Sequence, residues 1–276
     1  MPRRLFSKSN IIAAFSAIVL FTSCKKDQVD NPGGGDGPVT EKKIATFYQD
    51  EQNKIEFTYN TAGKLSKVFM RNKDEEDQLE ETLNIDYSGD GKISKVSTDG
   101  FRVEYSYLNG NLEKTATYNE NDELVTTAEF KWQNGKLAEY SYYMSYPTED
   151  GEELENRKMN ETTYEYGADG NVRKVNMKQL NILTNQLEDM GYHTYDGYDN
   201  KVNPLRHLKD FSYGFFQEFN SANVLKETAY DKNGNILEKT ERTFTYDQAG
   251  YPLTCVEKRT ETGKPAVTEN TKFTYY

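Results

Sequence analysis

The chain has 276 residues, with 34 basic against 45 acidic side chains and a formal charge of −11, an acidic excess that argues against a nucleic-acid partner held by electrostatics. Apolar residues make up 35% of it, below the usual figure of roughly 45–50%, so a large, thick core is not expected. With 21 Tyr and 14 Phe against a single Trp, what is buried should be mostly rings.

Residues 1–23 carry the sharpest signal. Arg3, Arg4 and Lys8 make a basic start, Ile11 to Phe21 is an apolar run too short to span a bilayer as a helix, and Thr22-Ser23 lead into Cys24. The pattern is that of a secretion signal ending at a lipidated cysteine, and Lys25-Lys26-Asp27 after it resembles the lipoproteins of Bacteroidota. Several acyl chains, at roughly 0.8 kcal/mol per buried methylene, attach a protein durably to a membrane. Loss of residues 1–23 leaves 31 basic against 45 acidic residues, a charge of −14. With Cys24 acylated, Cys255 has no disulfide partner, and in the alternating Leu253-Thr254-Cys255-Val256 it reads as a buried strand thiol.

Residues 24–43 are polar and rich in Gly and Pro, as in Asn31-Pro32-Gly33-Gly34-Gly35-Asp36-Gly37-Pro38. They predict a flexible tether reaching roughly 25 Å.

Residues 44–276 form one domain built on an internal repeat. Tyr59-Asn-Thr-Ala-Gly63-Lys-Leu65, Tyr87-Ser-Gly-Asp-Gly91-Lys-Ile93, Tyr166-Gly-Ala-Asp-Gly170-Asn-Val172, Tyr230-Asp-Lys-Asn-Gly234-Asn-Ile236 and Tyr246-Asp-Gln-Ala-Gly250 share an aromatic residue, three turn residues and Gly. Shorter copies begin at Tyr107 and Trp132, and Tyr118-Asn-Glu-Asn-Asp122 places Asp where Gly is expected. Gly, Asn or Asp supplies the positive φ of a tight turn, and the flanks alternate, as in Ile55, Phe57 and Tyr59 against Glu56 and Thr58. Each copy predicts a β-hairpin. The fold class is therefore all-β: an antiparallel meander of about fourteen to sixteen strands forming a strongly curved sheet or barrel-like shell. Within it, Met177 to Met190 could hold a short helix or a lid. Alternation fits either an apolar interior or a lipid-facing exterior; the mean hydropathy of −0.91 favours the first.

These units resemble the YD repeats of Rhs proteins and teneurins, whose hairpins build curved β shells. Together with the lipoprotein signal, the tether and Tyr198-Asp199-Asn200-Lys201-Val202-Asn203-Pro204, they resemble a family of Bacteroidota lipoproteins of unknown function with a porin-like fold. That resemblance brings no catalytic residues with it.

Chemistry-bearing residues are sparse. His193 and His207 are the only histidines, and there is no Cys cluster, His-x-x-x-His or phosphate loop, so no metal or other cofactor is expected. Acidic runs at 74–77 and 149–153 read as solvated loops and lack the order of a tight calcium site. Residues 192–199 interrupt the repeat and gather rings and carboxylates. The candidate ligand contacts are Tyr192, His193, Tyr195, Tyr198, Asp199 and Asn200, with Trp132 from a second aromatic group that includes Tyr140, Tyr142 and Tyr143. Turn capping by the Asp side chains and cross-strand ring packing are the structural explanations of the same residues.

The reading is a non-enzymatic binding or interaction module of the outer membrane, lipid-anchored at Cys24, with a glycan or an envelope protein as ligand and no nucleic acid. A structural accessory of an outer-membrane complex is the alternative. A glycan-active enzyme using Asp196 and Asp199 is a third reading; paired acids need a set separation in a cleft.

Overall fold

The computed structural model describes residues 41–49, 53–73, 78–147, 154–208, 211 and 220–276. The signal, Cys24 and nearly all of the tether lie outside the described residues. Sixteen strands follow one another: β1 Ile44–Tyr48, β2 Lys54–Tyr59, β3 Leu65–Lys73, β4 Gln78–Tyr87, β5 Ile93–Ser97, β6 Phe101–Leu108, β7 Asn111–Asn119 and β8 Leu124–Gln133, then β9 Lys136–Pro147, β10 Leu154–Tyr166, β11 Val172–Asn181, β12 Gln186–Tyr198, β13 Val224–Tyr230, β14 Ile236–Tyr246, β15 Pro252–Glu261 and β16 Val267–Tyr275. Each pairs antiparallel with its chain neighbours, and β1 pairs with β16 to close a barrel. At the closure Phe47 stands opposite Phe273, their rings edge-on at 5.4 Å, and the Tyr276 amide donates to the Lys43 carbonyl at 3.0 Å.

The repeat explains the turns. In the first copy the Gly63 amide donates to the Asn60 carbonyl at 2.8 Å, and the Asn60 amide to the Lys64 carbonyl at 2.8 Å. Gly63 takes φ +74° and Asp122, the odd copy, takes +63°. The residue after the aromatic nucleates the turn: Asn60 Oδ1 accepts from the amides of Ala62 and Lys64, and Asp231 and Asp247 do the same in their turns. At all eight aromatic positions the pairing register shifts by one residue, the mark of a bulge that tightens twist.

Six of the eight copies, at Tyr59, Tyr87, Tyr107, Trp132, Tyr166 and Tyr246, lie at the barrel end where residues 41–43 lead in, the near end; Tyr118 and Tyr230 lie at the far end. At the near end, successive hairpins are tied by two contacts. Tyr87 donates its hydroxyl to the Leu65 carbonyl at 2.8 Å, Trp132 Nε1 to Leu112 at 2.6 Å, Tyr166 to Leu137 at 2.8 Å and Tyr275 to Pro252 at 2.6 Å. In the other direction Lys64, just past its turn glycine, sits 4.8 Å from the Tyr87 ring and donates to the Gly91 carbonyl at 3.0 Å. Lys43 treats Tyr59 and Gly63 alike, and Lys92, Lys136, Arg173 and Lys201 cover Tyr107, Tyr166, Tyr198 and Tyr246.

Alternation puts the apolar set inside. Phe57, Val68, Leu83, Val96, Val103 and Leu137 are all at most 1% exposed, so the barrel interior along β2–β9 is packed core. The outer face is polar: Glu80, Thr82, Asn84 and Asp86 on β4, and Lys239, Glu241, Thr243 and Thr245 on β14, are all exposed. A lipid-facing barrel needs an outward apolar band about 25 Å tall, and the described outward residues of β4 and β14 do not form one. Cys255 is buried on β15 opposite Phe244.

One expectation is corrected. Met177 to Met190 holds neither helix nor lid but the hairpin of β11 and β12. Asn181 Oδ1 accepts from the Leu183 amide at 2.9 Å and Asn185 takes φ +54°, so the segment closes as a tight turn between two strands. Residues 192–198, which interrupt the repeat, continue the sheet as the second half of β12.

Candidate ligand-binding notch

The far end of the wall is uneven. β13 has seven residues and stands between the thirteen of β12 and the eleven of β14. Its pairing with β12 stops at Tyr192–Tyr230, so residues 186–191 of β12 have no β13 partner and the β11–β12 hairpin projects past a low point. Gly191 marks the step: it takes φ +113°, and a Cβ there would lie 2.0 Å from the Tyr230 carbonyl oxygen. Only glycine fits so close a backbone approach. At the low point lies a cavity of about 690 Å3. His193 and Ala229 lie on β12 and β13, Asn235 to Glu238 line one side, and Glu261 and Thr262 the other.

Behind the cavity the inner wall is charged. Strand register sets Ala229, Glu238 and Glu261 in one row, Glu227, Thr240 and Arg259 in the next, and Arg242, Glu257 and Glu269 in a third. Across these rows His193 Nδ1 lies 2.8 Å from Glu227, Arg242 bonds Glu227 at 3.0 Å and Glu257 at 2.7 Å, and Arg259 bonds Glu257 at 3.0 Å and approaches Glu238 at 3.7 Å. The result is an alternating ladder of acid and base. Glu227 is 11% exposed and Arg242 16%. Burial alone would push the Glu227 carboxyl up, but the His193 hydrogen bond and the Arg242 charge outweigh it and hold the group below the ordinary carboxylate range. Among the described residues no group of three or more His, Cys, Asp or Glu is arranged to hold a metal ion.

Of the seven residues singled out from sequence, His193 alone lines this cavity. Tyr192 points outward, stacked on Tyr230 at 4.6 Å with the Lys174 ammonium 4.3 Å from its ring. Tyr195 is core, 3% exposed. Tyr198 donates its hydroxyl to the Val172 carbonyl. Asp199 accepts from the Asn223 and Lys201 amides, both at 3.0 Å, and from the Tyr246 hydroxyl, which makes it a cap for the β12–β13 connection. Asn200 is exposed beside it. Trp132 is tied to Leu112 on the β7–β8 side. Tyr140 and Tyr142 are buried, and Tyr143 faces out and donates to Glu129 at 3.0 Å. The seven do not converge. The members that sequence reading missed are Glu227, Glu238, Arg242, Glu257 and Glu261; Phe244 and Tyr246 mark the inner face of β14, and Arg242 and Glu238 stand in the same phase.

No family model matches the chain, and no curated protein matches it. The solved structures do. The barrel is similar to the crystal structure of a porin-like protein from Bacteroides uniformis, with 13% identity and a TM-score of 0.55 over 84% of this chain and 96% of that one. It is similar as well to a porin-like protein from Bacteroides vulgatus, with 10% identity and a TM-score of 0.53 over 85% and 99%. The shared feature is the fold.

Proposed function

We propose that the chain is a lipid-anchored, non-enzymatic binding module of the cell envelope, attached to the outer membrane through Cys24 and offering the notch to a glycan or an envelope protein. The observation that carries this reading is the cavity at the low point of the wall, with an ion-pair ladder behind it. Ligand sites are concave and place a few polar groups against apolar surface, and His193, Glu238 and Glu261 beside Ile236 and Leu237 fit that description. The signal pattern before Cys24 supports the anchor, as does the polar outward face of β4 and β14, which offers lipid no band to grip. The charge of −11 speaks against nucleic acid as the partner.

Two measurements on the full chain test this. Metabolic palmitate label is expected on Cys24, and Cys24→Ser should lose the label and leave the membrane pellet. Titration against a panel of envelope glycans and peptides should then give saturable binding that His193→Ala weakens at least tenfold. Binding unchanged in that variant would remove the notch as the site, and silence across the panel would count against a binding role.

A further inference from the structure

The chemistry of the notch points to the class of ligand. On the inner wall around it, five carboxylates, those of Glu227, Glu238, Glu257, Glu261 and Glu269, face the two guanidiniums of Arg242 and Arg259. The guanidiniums are shared out along the ladder, Arg242 between Glu227 and Glu257 and Arg259 between Glu257 and Glu238. Lys264 reaches Glu261 from its turn, but its side chain is 67% exposed, and even with it counted the wall is two positive charges short. The Arg259–Glu238 contact is also the longest of the ladder, at 3.7 Å, and Glu238 and Glu261 are the two acids that line the cavity itself.

The lip of the same cavity is apolar. Ile236 is 39% exposed and Leu237 49%, and both line the opening. On the projecting β11–β12 hairpin beside it, Leu183 is 96% exposed and Met190 50%. Of these, Ile236 and Leu237 line the cavity itself, and two large aliphatic side chains beside a concave acidic wall make a surface that water serves poorly. A polar glycan satisfies the acids but not the lip, and an apolar ligand satisfies the lip but leaves the acids unmatched.

We infer that the notch takes a cationic side chain carried on an apolar stem, as a lysine or arginine flanked by aliphatic residues presents on a peptide segment of a protein partner. This rests on the notch being the binding site, and of the two ligand classes named above it selects protein. The aliphatic stem lies on Ile236 and Leu237, and the ammonium or guanidinium reaches Glu238 and Glu261. Glu238 is 32% exposed and Glu261 46%, so the attraction acts partly through water and is open to screening by salt.

The test is calorimetric titration of the full chain with three blocked peptides, acetyl-Leu-Lys-Leu-amide and its counterparts with glutamate or norleucine at the centre. The lysine peptide is expected to bind saturably, at least tenfold more tightly than either counterpart, and to weaken as salt is raised. Glu238→Gln with Glu261→Gln should lose at least tenfold, and Glu120→Gln, in another far-end turn, should lose nothing. Because both substituted side chains sit at strand ends, thermal melts should confirm that the double variant folds; Glu261→Gln alone, expected to lose several-fold, is the milder check. Equal affinity for the three peptides, or no response to either variant, overturns the inference. If the lysine peptide is ignored while a glycan binds in a His193-dependent way, the cationic ligand falls and the notch stands. If nothing binds, both fall.

Discussion

Gly191 is the residue whose replacement should be felt most. A methyl group there meets the Tyr230 carbonyl oxygen at 2.0 Å in a backbone region that L side chains rarely adopt, so neither side-chain rotation nor a small shift relieves it. Gly191→Ala is expected to cost about 2–4 kcal/mol in urea unfolding and to disturb the notch, since His193 is two residues on. Glu227 is the second sensitive position. Its folded-state acidity is stronger than in the unfolded chain, so the stability it contributes is complete above the ordinary carboxylate pKa and is lost as pH falls through the lower, folded value. Below roughly pH 4 the wild-type protein should lose stability in part through this group, and Glu227→Gln, destabilised at pH 7, should show a flatter acid limb in melts taken across that range. At this scale sequence reading was weakest. His193 stands out because histidines are rare in the chain, but Glu227 lies 34 residues away and meets it only through the register of β12 on β13. Asp199 and Tyr198 drew attention for their aromatic and acidic surroundings, and both turn out to serve the backbone.

The hairpin is the natural element of this protein, and its motif does two jobs. Within the copies at Tyr59, Tyr230 and Tyr246, the Asn or Asp after the aromatic and the Gly three residues later make the turn. Between copies, the aromatic hydroxyl reaches back to one hairpin and the lysine forward to the next. Each hydroxyl bond is worth about 1 kcal/mol, and each lysine over a ring about 0.5–1 kcal/mol at a partly exposed site. Tyr87→Phe and Tyr166→Phe should therefore each lower stability by about 1 kcal/mol in urea titrations, and together by about the sum, because the two contacts share no partner. The hairpins were legible because turn chemistry and alternation are local signals. The ties between them were not, since a tyrosine followed by a turn looks the same whether its hydroxyl finds water or a carbonyl of the preceding hairpin. Met177 to Met190 misled for a related reason: its apolar spacing fits both periods, and only the Asn181 and Asn185 turn contacts decide it.

At the level of the molecule, closure follows from strand number and twist together. The core runs from β2–β9 into the near-end half of β12–β16, through Tyr195, Val224, Cys255 and Phe273, and the charged rows take over on β13–β16 toward the far end. That division is readable in part from sequence, because Thr240-x-Arg242-x-Phe244 breaks an aromatic phase with charge, whereas the height difference that opens the notch depends on where β13 stops. Closure has a further consequence. Every strand-to-strand ladder except β1–β16 joins neighbours in the chain, and at that exception the Tyr276 amide already touches the Lys43 carbonyl. Joined across that gap by a short linker, the barrel would be a ring of hairpins in which no strand is first or last. The order of synthesis is then separable from the order of the wall, and a polypeptide opened at an exposed turn such as that of Gly110 could be expected to rebuild the same barrel with its leading end somewhere else on the rim.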